Sequence, residues 1–142
     1  MRLTSEFTFD AAHRILGHSG KCAYLHGHTY RLTVTVSAGA LDALGMVMDF
    51  DDLRALVKKA ILDRWDHATL LSRGDPLVPA IASVQADAPE RLIALDAPPT
   101  AEQLTRLAFA AIRESLPVGI TLERVAVWEG PGSGRALCRG EA

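Results

Sequence analysis

The sequence predicts an α+β domain, and three observations support this class. Two segments near the N-terminus and two near the C-terminus have the apolar alternation or the turn signals that are typical of strands. Two segments between them repeat apolar residues at helical spacing. The composition is 49% hydrophobic and 23% charged, which excludes a disordered chain. Strand pairs with intervening helices pack as layers around one core, so we expect a single domain over residues 1–142.

The first two strands are predicted at residues 3–13 and 28–36. Within each strand the apolar residues share one parity of the numbering, as on a half-buried strand: Leu3, Phe7, Phe9 and Ala11, then Tyr30, Leu32, Val34 and Val36. The connecting segment 14–25 contains glycine and serine and is predicted to be a long loop. Sequential strands joined in this way most often pair antiparallel.

Two helices are predicted from apolar periodicity and from their N-terminal signals. The first begins at Asp49, where carboxylates suit the positive end of the helix dipole. The second begins after Thr100, a good N-cap residue, and Gln103 gives the spacing of a capping box. Their apolar residues recur at helical spacing: Leu53, Leu56, Val57, Ala60 and Ile61 in the first, and Leu104, Leu107, Ala108, Ala111 and Ile112 in the second.

The remaining strands are predicted on either side of the second helix. The segment 72–97 is expected to contain a short helix at about 75–85 and then a strand at 91–95. Closing strands are expected at 120–129 and 134–139, because a turn rich in glycine separates these two runs. The chain therefore ends in a predicted hairpin.

Three histidines are predicted to converge at one end of the first strand pair. His26 and His28 are two residues apart on a strand, so they project to the same side, with the parity of the apolar residues. His13 has the inward parity of the first strand, whose end lies beside the start of the second. Three imidazoles suit zinc and leave a fourth position for water or substrate, as in catalytic sites. They also suit iron, nickel or copper, and the alternative is three separate core or loop histidines.

Four more side chains are candidates for chemistry. Cys22 lies in the loop before His26, where it could be a fourth metal ligand, an activated thiolate or an inert thiol. Asp66 and His67 could form a hydrogen-bonded pair only if the helix has ended before them, and otherwise His67 complements a helix C-terminus. Glu129 ends an apolar strand face and could accept two parallel N–H bonds from a ligand, or could simply be exposed.

Composition excludes several classes of function. The formal net charge is −2 and no run of Lys or Arg occurs, which argues against nucleic-acid binding. No apolar stretch approaches the roughly 20 residues of a membrane span, and the charged N-terminus lacks the apolar core of a signal peptide. The two cysteines suit a reducing compartment. We expect a soluble, cytoplasmic protein without a nucleic-acid or membrane partner.

Together these residues resemble the 6-pyruvoyltetrahydropterin synthase superfamily, most closely its 6-carboxytetrahydropterin synthase branch in queuosine biosynthesis. Residues 9–14 resemble the first zinc-ligand motif, and residues 22–28 are similar to the motif C-x-x-x-H-G-H. The gap of three residues in that motif is similar to the queuosine branch. The other matching pieces are, in order, Asp49-Phe50, Asp66-His67, Pro99-Thr100-Ala101-Glu102 and Glu129.

The resemblance implies a tunnelling fold, with an antiparallel four-stranded sheet, two helices on one face, and assembly into a homo-oligomeric barrel with active sites between subunits. It implies zinc held by His13, His26 and His28. It implies that Cys22, Asp66 and His67 transfer protons and that Glu129, with Thr100, binds a pterin. The implied reaction converts 7,8-dihydroneopterin triphosphate to carboxytetrahydropterin, acetaldehyde and triphosphate. For the triphosphate, Arg14, His18 and Lys21 are candidates by charge and position.

Overall fold

A computed structural model describes residues 1–140 of the chain, which fold around one six-stranded sheet. The strands are β1 Arg2–His13, β2 His26–Ala38, β3 Ala68–Ser72, β4 Leu92–Leu95, β5 Ile120–Trp128 and β6 Arg135–Arg139. Their order in the sheet is β4-β3-β1-β2-β5-β6. The two predicted N-terminal strands therefore form the centre of the sheet, and the short strands β4 and β6 form its edges.

The four-stranded antiparallel sheet implied by the resemblance is wrong for this chain. β1, β2, β5 and β6 are antiparallel neighbours, but β3 runs parallel to β1, and β4 runs parallel to β3. Strand β3 was not predicted at all. Its residues Leu70 and Leu71 are both fully buried, so the segment lacks the polar alternation that identifies a half-buried strand.

The register of β1 and β2 confirms their predicted antiparallel pairing. Phe7 lies opposite Leu32 and Phe9 opposite Tyr30, and all four side chains belong to the buried core. The Phe9 and Tyr30 rings are stacked with their centroids 4.9 Å apart. The apolar parity predicted from sequence is thus the face of the sheet that packs against the helices.

The helices are α1 Phe50–Val57, α2 Asp63–Trp65, α3 Leu77–Val84 and α4 Ala101–Ser115, and a π-helical turn, Lys58–Leu62, joins α1 to α2. The π turn fits the spacing of the buried residues. The residues of this helical run that are buried recur every fourth position: Leu53, Val57, Ile61 and Trp65. At about 3.6 residues per turn this row would drift off the core-facing side by roughly a third of a turn. A wider π turn returns it to the same face.

Helix α4 packs on the same core as α1, and both begin at a side-chain cap. The Asp49 carboxylate accepts from the backbone N–H of Asp51, and the Thr100 hydroxyl accepts from that of Gln103. The buried face of α4 includes Leu104, Ala108 and Ile112. None of the helices within residues 1–140 is long and apolar enough to cross a membrane.

The segment 72–97 contains the short helix and the strand predicted there, as α3 and β4. It is tied to the end of β1 by a buried ion pair. The Arg14 guanidinium donates to both carboxylate oxygens of Asp75, whose side chain is fully buried. This contact and the pairing of β4 with β3 hold the segment against the central strands.

Candidate functional site

The three predicted histidines meet at the end of the β1–β2 pair. His13 lies directly opposite His26 in the register, and His28 lies opposite Ala11. The ring centroids are 4.6 Å apart for His13 and His26, 5.1 Å for His13 and His28, and 4.9 Å for His26 and His28. One nitrogen of each ring falls within 4.8 Å of the other two. Strand pairing alone therefore assembles a three-nitrogen cluster.

Backbone carbonyls fix the tautomers of two of these rings. His13 Nδ1 lies 2.7 Å from the carbonyl oxygen of Pro99, and His26 Nδ1 lies 2.7 Å from that of Tyr24. A carbonyl only accepts, so each Nδ1 carries the hydrogen and each Nε2 has a free lone pair. These two Nε2 atoms are 3.1 Å apart. Two ligand nitrogens on a tetrahedral metal at about 2.0–2.1 Å are separated by about 3.3 Å.

The third ring completes a set of donors that fits a divalent metal ion. His28 Nε2 is buried and has no hydrogen-bond partner among the described residues. Burial, opposed in part by the Pro99 hydrogen bond, lowers the pKa of His13 to about 4. The His13 ring is therefore neutral at pH 7, and repulsive lone pairs face each other across the cluster. A cation bound by the three imidazoles removes this repulsion.

Glu129 lies beside the histidine cluster, just after the end of β5. Its Oε1 is 3.9 Å from His13 Nε2, and its side chain is 24% exposed. Below it the Tyr30 hydroxyl is buried without a hydrogen-bond partner among residues 1–140. Burial, and to a smaller extent the charge of Glu129, raises the pKa of Tyr30. The site thus combines a carboxylate that can accept, a phenol that can donate and the free histidine nitrogens.

Two further predicted residues flank the cluster without joining it. Cys22 is exposed in a single 3₁₀ turn, Lys21–Ala23, and its carbonyl accepts a 2.7 Å hydrogen bond from the backbone N–H of Ile15. It does not belong to the group of mutually close ligand atoms. Thr100 caps α4 next to Pro99, whose carbonyl orients His13. The chain therefore carries a three-histidine cluster with a thiol in the adjacent loop.

The side chains of Asp66 and His67 lie close together because the helical run ends at Trp65. Asp66 is extended (φ −65°, ψ 128°), and His67 has a positive φ of 60°. In this conformation His67 Nδ1 lies 3.0 Å from Asp66 Oδ1. Adjacent residues on a continuous helix do not face each other. The pair consequently depends on the break in the helix and on the left-handed residue.

Asp10 is a third member of this group that the sequence reasoning missed. Its backbone N–H donates to Asp66 Oδ1 at 2.9 Å, and its carbonyl accepts from the His67 N–H at 2.6 Å. Its carboxylate accepts a 2.5 Å hydrogen bond from the Thr29 hydroxyl. Asp10 and Thr29 have the parity opposite to His13 and His28, so this group lies on the outer face of the sheet. The opposite parity of Asp10 was the feature of the sequence that could have placed it on this face.

The cationic candidates near the loop are not brought together. Arg14 is engaged by Asp75. The His18 ring accepts a 2.8 Å hydrogen bond from the backbone N–H of Gly20 through Nδ1, and the Lys21 residue is exposed in the turn that contains Cys22. Only Lys21 retains an unengaged charge among these three in the described part of the chain.

A mixed sheet that carries three facing histidine nitrogens at one end defines an α+β protein with a candidate metal centre. The family profile described as 6-pyruvoyl tetrahydropterin synthase matches residues 2–139, so the chain belongs to that family. A protein of Haemophilus influenzae named 6-carboxy-5,6,7,8-tetrahydropterin synthase is 37% identical over 93% of this chain and 94% of its own length. A protein of Rickettsia bellii with the same name is 38% identical over 73% of this chain and 74% of its own length.

Solved structures show the same fold. An uncharacterized protein from Wolinella succinogenes has a TM-score of 0.84 at 23% identity and covers 99% of this chain and 98% of its own. The 6-pyruvoyl tetrahydropterin synthase of Caenorhabditis elegans has a TM-score of 0.68 at 22% identity, covering 99% of this chain and 96% of its own. Both extend the likeness over nearly the whole length of each chain.

Proposed function

We propose that this chain is a zinc-dependent 6-carboxy-5,6,7,8-tetrahydropterin synthase, a lyase of queuosine-type deazapurine biosynthesis. Its substrates are 7,8-dihydroneopterin triphosphate and water, and its products are carboxytetrahydropterin, acetaldehyde and triphosphate. The observation that carries the proposal is the pair of Nε2 lone pairs, on His13 and His26, that face each other 3.1 Å apart beside the carboxylate of Glu129. The names of the relatives and the three-residue gap between Cys22 and His26 favour this branch of the family.

His13, His26 and His28 would hold zinc, which would act as a Lewis acid and make the C–H protons of the substrate side chain more acidic. The substrate is oriented by protein groups near this centre. Glu129 accepts two N–H bonds from the amino-pyrimidine edge of the pterin, a pairing that suits a carboxylate. Thr100, at the start of α4, lies next to the carbonyl that orients His13 and contacts the same ligand.

Proton transfer is assigned to the exposed thiol and to the Asp66–His67 pair. Cys22 Sγ, as a thiolate, takes a proton from the substrate side chain. His67 returns a proton through Nε2, because its Nδ1 faces Asp66 Oδ1 at 3.0 Å. Asp66 orients the ring.

The position of the pair favours active sites shared between subunits. Asp66 and His67 lie on the outer face with Asp10, whereas the histidine cluster lies on the inner face. We therefore assign the two groups of one active site to different subunits. In a homo-oligomer, the pair of one subunit completes the cluster of its neighbour. Mixed oligomers of Cys22→Ala and His67→Asn subunits should then regain part of the activity that each variant lacks alone.

Substrate consumption by zinc-loaded protein tests the proposed chemistry, with the two cysteines as a matched pair. Cys22→Ala should abolish turnover and leave bound zinc and pterin affinity unchanged. Cys138→Ala, at a half-buried position on β6, should retain turnover. Loss of zinc from the Cys22→Ala protein would make Cys22 a metal ligand and would overturn its assignment as the base.

A further inference from the structure

Arg91 connects the segment 72–97 to the backbone between Asp66 and His67. It is the last residue of the single turn Pro89–Arg91, immediately before β4. Its Nη1 donates a 2.8 Å hydrogen bond to the carbonyl oxygen of Asp66. The guanidinium thus reaches from the edge of the sheet to the peptide group that precedes His67.

Both ends of that peptide group are held by hydrogen bonds. Its carbonyl accepts from Arg91 at 2.8 Å, and its N–H, which belongs to His67, donates to the carbonyl of Asp10 at 2.6 Å. Arg91 and Asp10 hold it from opposite ends, one from the segment before β4 and the other from β1. A rotation of this peptide plane would break both contacts.

The orientation of the peptide decides whether the two side chains can pair. The values for Asp66 (φ −65°, ψ 128°) and His67 (φ 60°) resemble those of a type II turn, which normally needs glycine at its second central position. Flipping the central peptide gives the type I arrangement, with both residues near helical values. Adjacent side chains on helical backbone point apart, so the flip would separate His67 Nδ1 from Asp66 Oδ1.

We propose that Arg91 is a positioning residue that keeps this peptide in the orientation that pairs His67 with Asp66. The segment 72–97 thereby sets the geometry of proton transfer from the far side of the pair. Among residues 1–140, Arg91 has no recorded contact with the histidine cluster and acts through the Asp66 carbonyl. The effect on catalysis rests on the proposed function, whereas the effect on the pairing does not.

Kinetics of Arg91→Gln and Arg91→Lys test the catalytic consequence. Loss of one charge-assisted hydrogen bond should lower kcat by roughly tenfold to a hundredfold in Arg91→Gln, with KM changed less than about threefold. Arg91→Lys retains a charged donor and should recover part of kcat. The control is Arg73→Gln, which removes a 2.6 Å contact to Asp96 in the same segment and should leave kcat unchanged.

Nitrogen NMR of histidine-labelled protein gives a readout that does not depend on turnover. In the wild type, the His67 Nδ1 resonance should show the close approach of the Asp66 carboxylate at 3.0 Å. Arg91→Gln should lose this signature, and Arg73→Gln should keep it. An unchanged His67 spectrum in a folded Arg91→Gln protein would overturn the positioning role. A raised KM at constant kcat would also overturn it, because Arg91 would then bind substrate. If the wild type converts no pterin, the proposed function fails and the NMR comparison still decides the role of Arg91.

Discussion

Metal removal should lower the melting temperature of this protein by about 9–14 °C. A ligand present at 1,000 times its dissociation constant stabilises the folded state by about 4.1 kcal/mol. At about 2.1 cal/mol/K per residue, the 142 residues give an unfolding entropy of about 0.3 kcal/mol/K. Dividing this stabilisation by the unfolding entropy gives a fall in melting temperature of about 14 °C. For a metal at 100 times its dissociation constant, the fall is about 9 °C.

Differential scanning calorimetry with zinc or with a chelator measures this difference. His28→Ala removes the buried Nε2 that has no partner within the described residues, and it should abolish most of the response to zinc. His18→Ala, an exposed loop residue outside the cluster, should respond as the wild type does. Equal melting temperatures in zinc and in chelator, with no metal found by elemental analysis, would refute the three-histidine metal centre.

Two other predictions concern the pterin contact and the buried ion pair. Glu129→Gln should weaken pterin binding, measured by calorimetry, by about tenfold to a hundredfold. Glu123→Gln, within β5 and 31% exposed, should bind normally; equal affinities for the two variants would remove Glu129 from the pocket. The Arg14 guanidinium lowers the pKa of the Asp75 carboxyl below its ordinary 3.8, so the stabilisation that it gives is complete above about pH 4 and is lost as the pH falls further. Asp75→Asn should therefore lower the urea midpoint at pH 7, and its difference from the wild type should shrink in acid; a constant difference would contradict the ion pair as the cause.

The part of the site that strand alternation controls could be predicted from the sequence. Inward parity and antiparallel pairing place His13 opposite His26, and His28 follows two residues later on the same face. No contact with a distant segment is needed for this prediction. In a strand pair joined by one loop, the apolar alternation determines which side chains face the core and constrains the register. The capped start of α4 at Thr100 is a local signal of the same kind.

What could not be predicted depends on contacts between distant segments. Strand β3 is buried on both sides, so its residues do not alternate between apolar and polar. Because β3 was not predicted, the parallel pairing of β1, β3 and β4 could not be predicted either. The break after Trp65 that pairs Asp66 with His67 is held by Asp10 and Arg91, which lie far away in sequence. Ion pairing between Arg14 and Asp75 is equally non-local.

The helical run of α1 shows an intermediate case. The apolar periodicity of the sequence predicted a helix here. The buried residues recur at every fourth position, and this spacing explains why the helix contains a π turn. The deviation from 3.6 residues per turn could have been read from the sequence only by knowing which residues are buried. Burial at Trp65, which closes the row, is a property of the folded sheet.

The most direct test of the central claim is the mass of the product formed from 7,8-dihydroneopterin triphosphate by the zinc-loaded protein. We expect carboxytetrahydropterin together with acetaldehyde. A pyruvoyl product would contradict the assigned branch while keeping the scaffold and the metal centre. Unchanged substrate, with zinc confirmed at the three histidines, would contradict the proposed enzyme and leave a protein that binds metal and pterin without turnover.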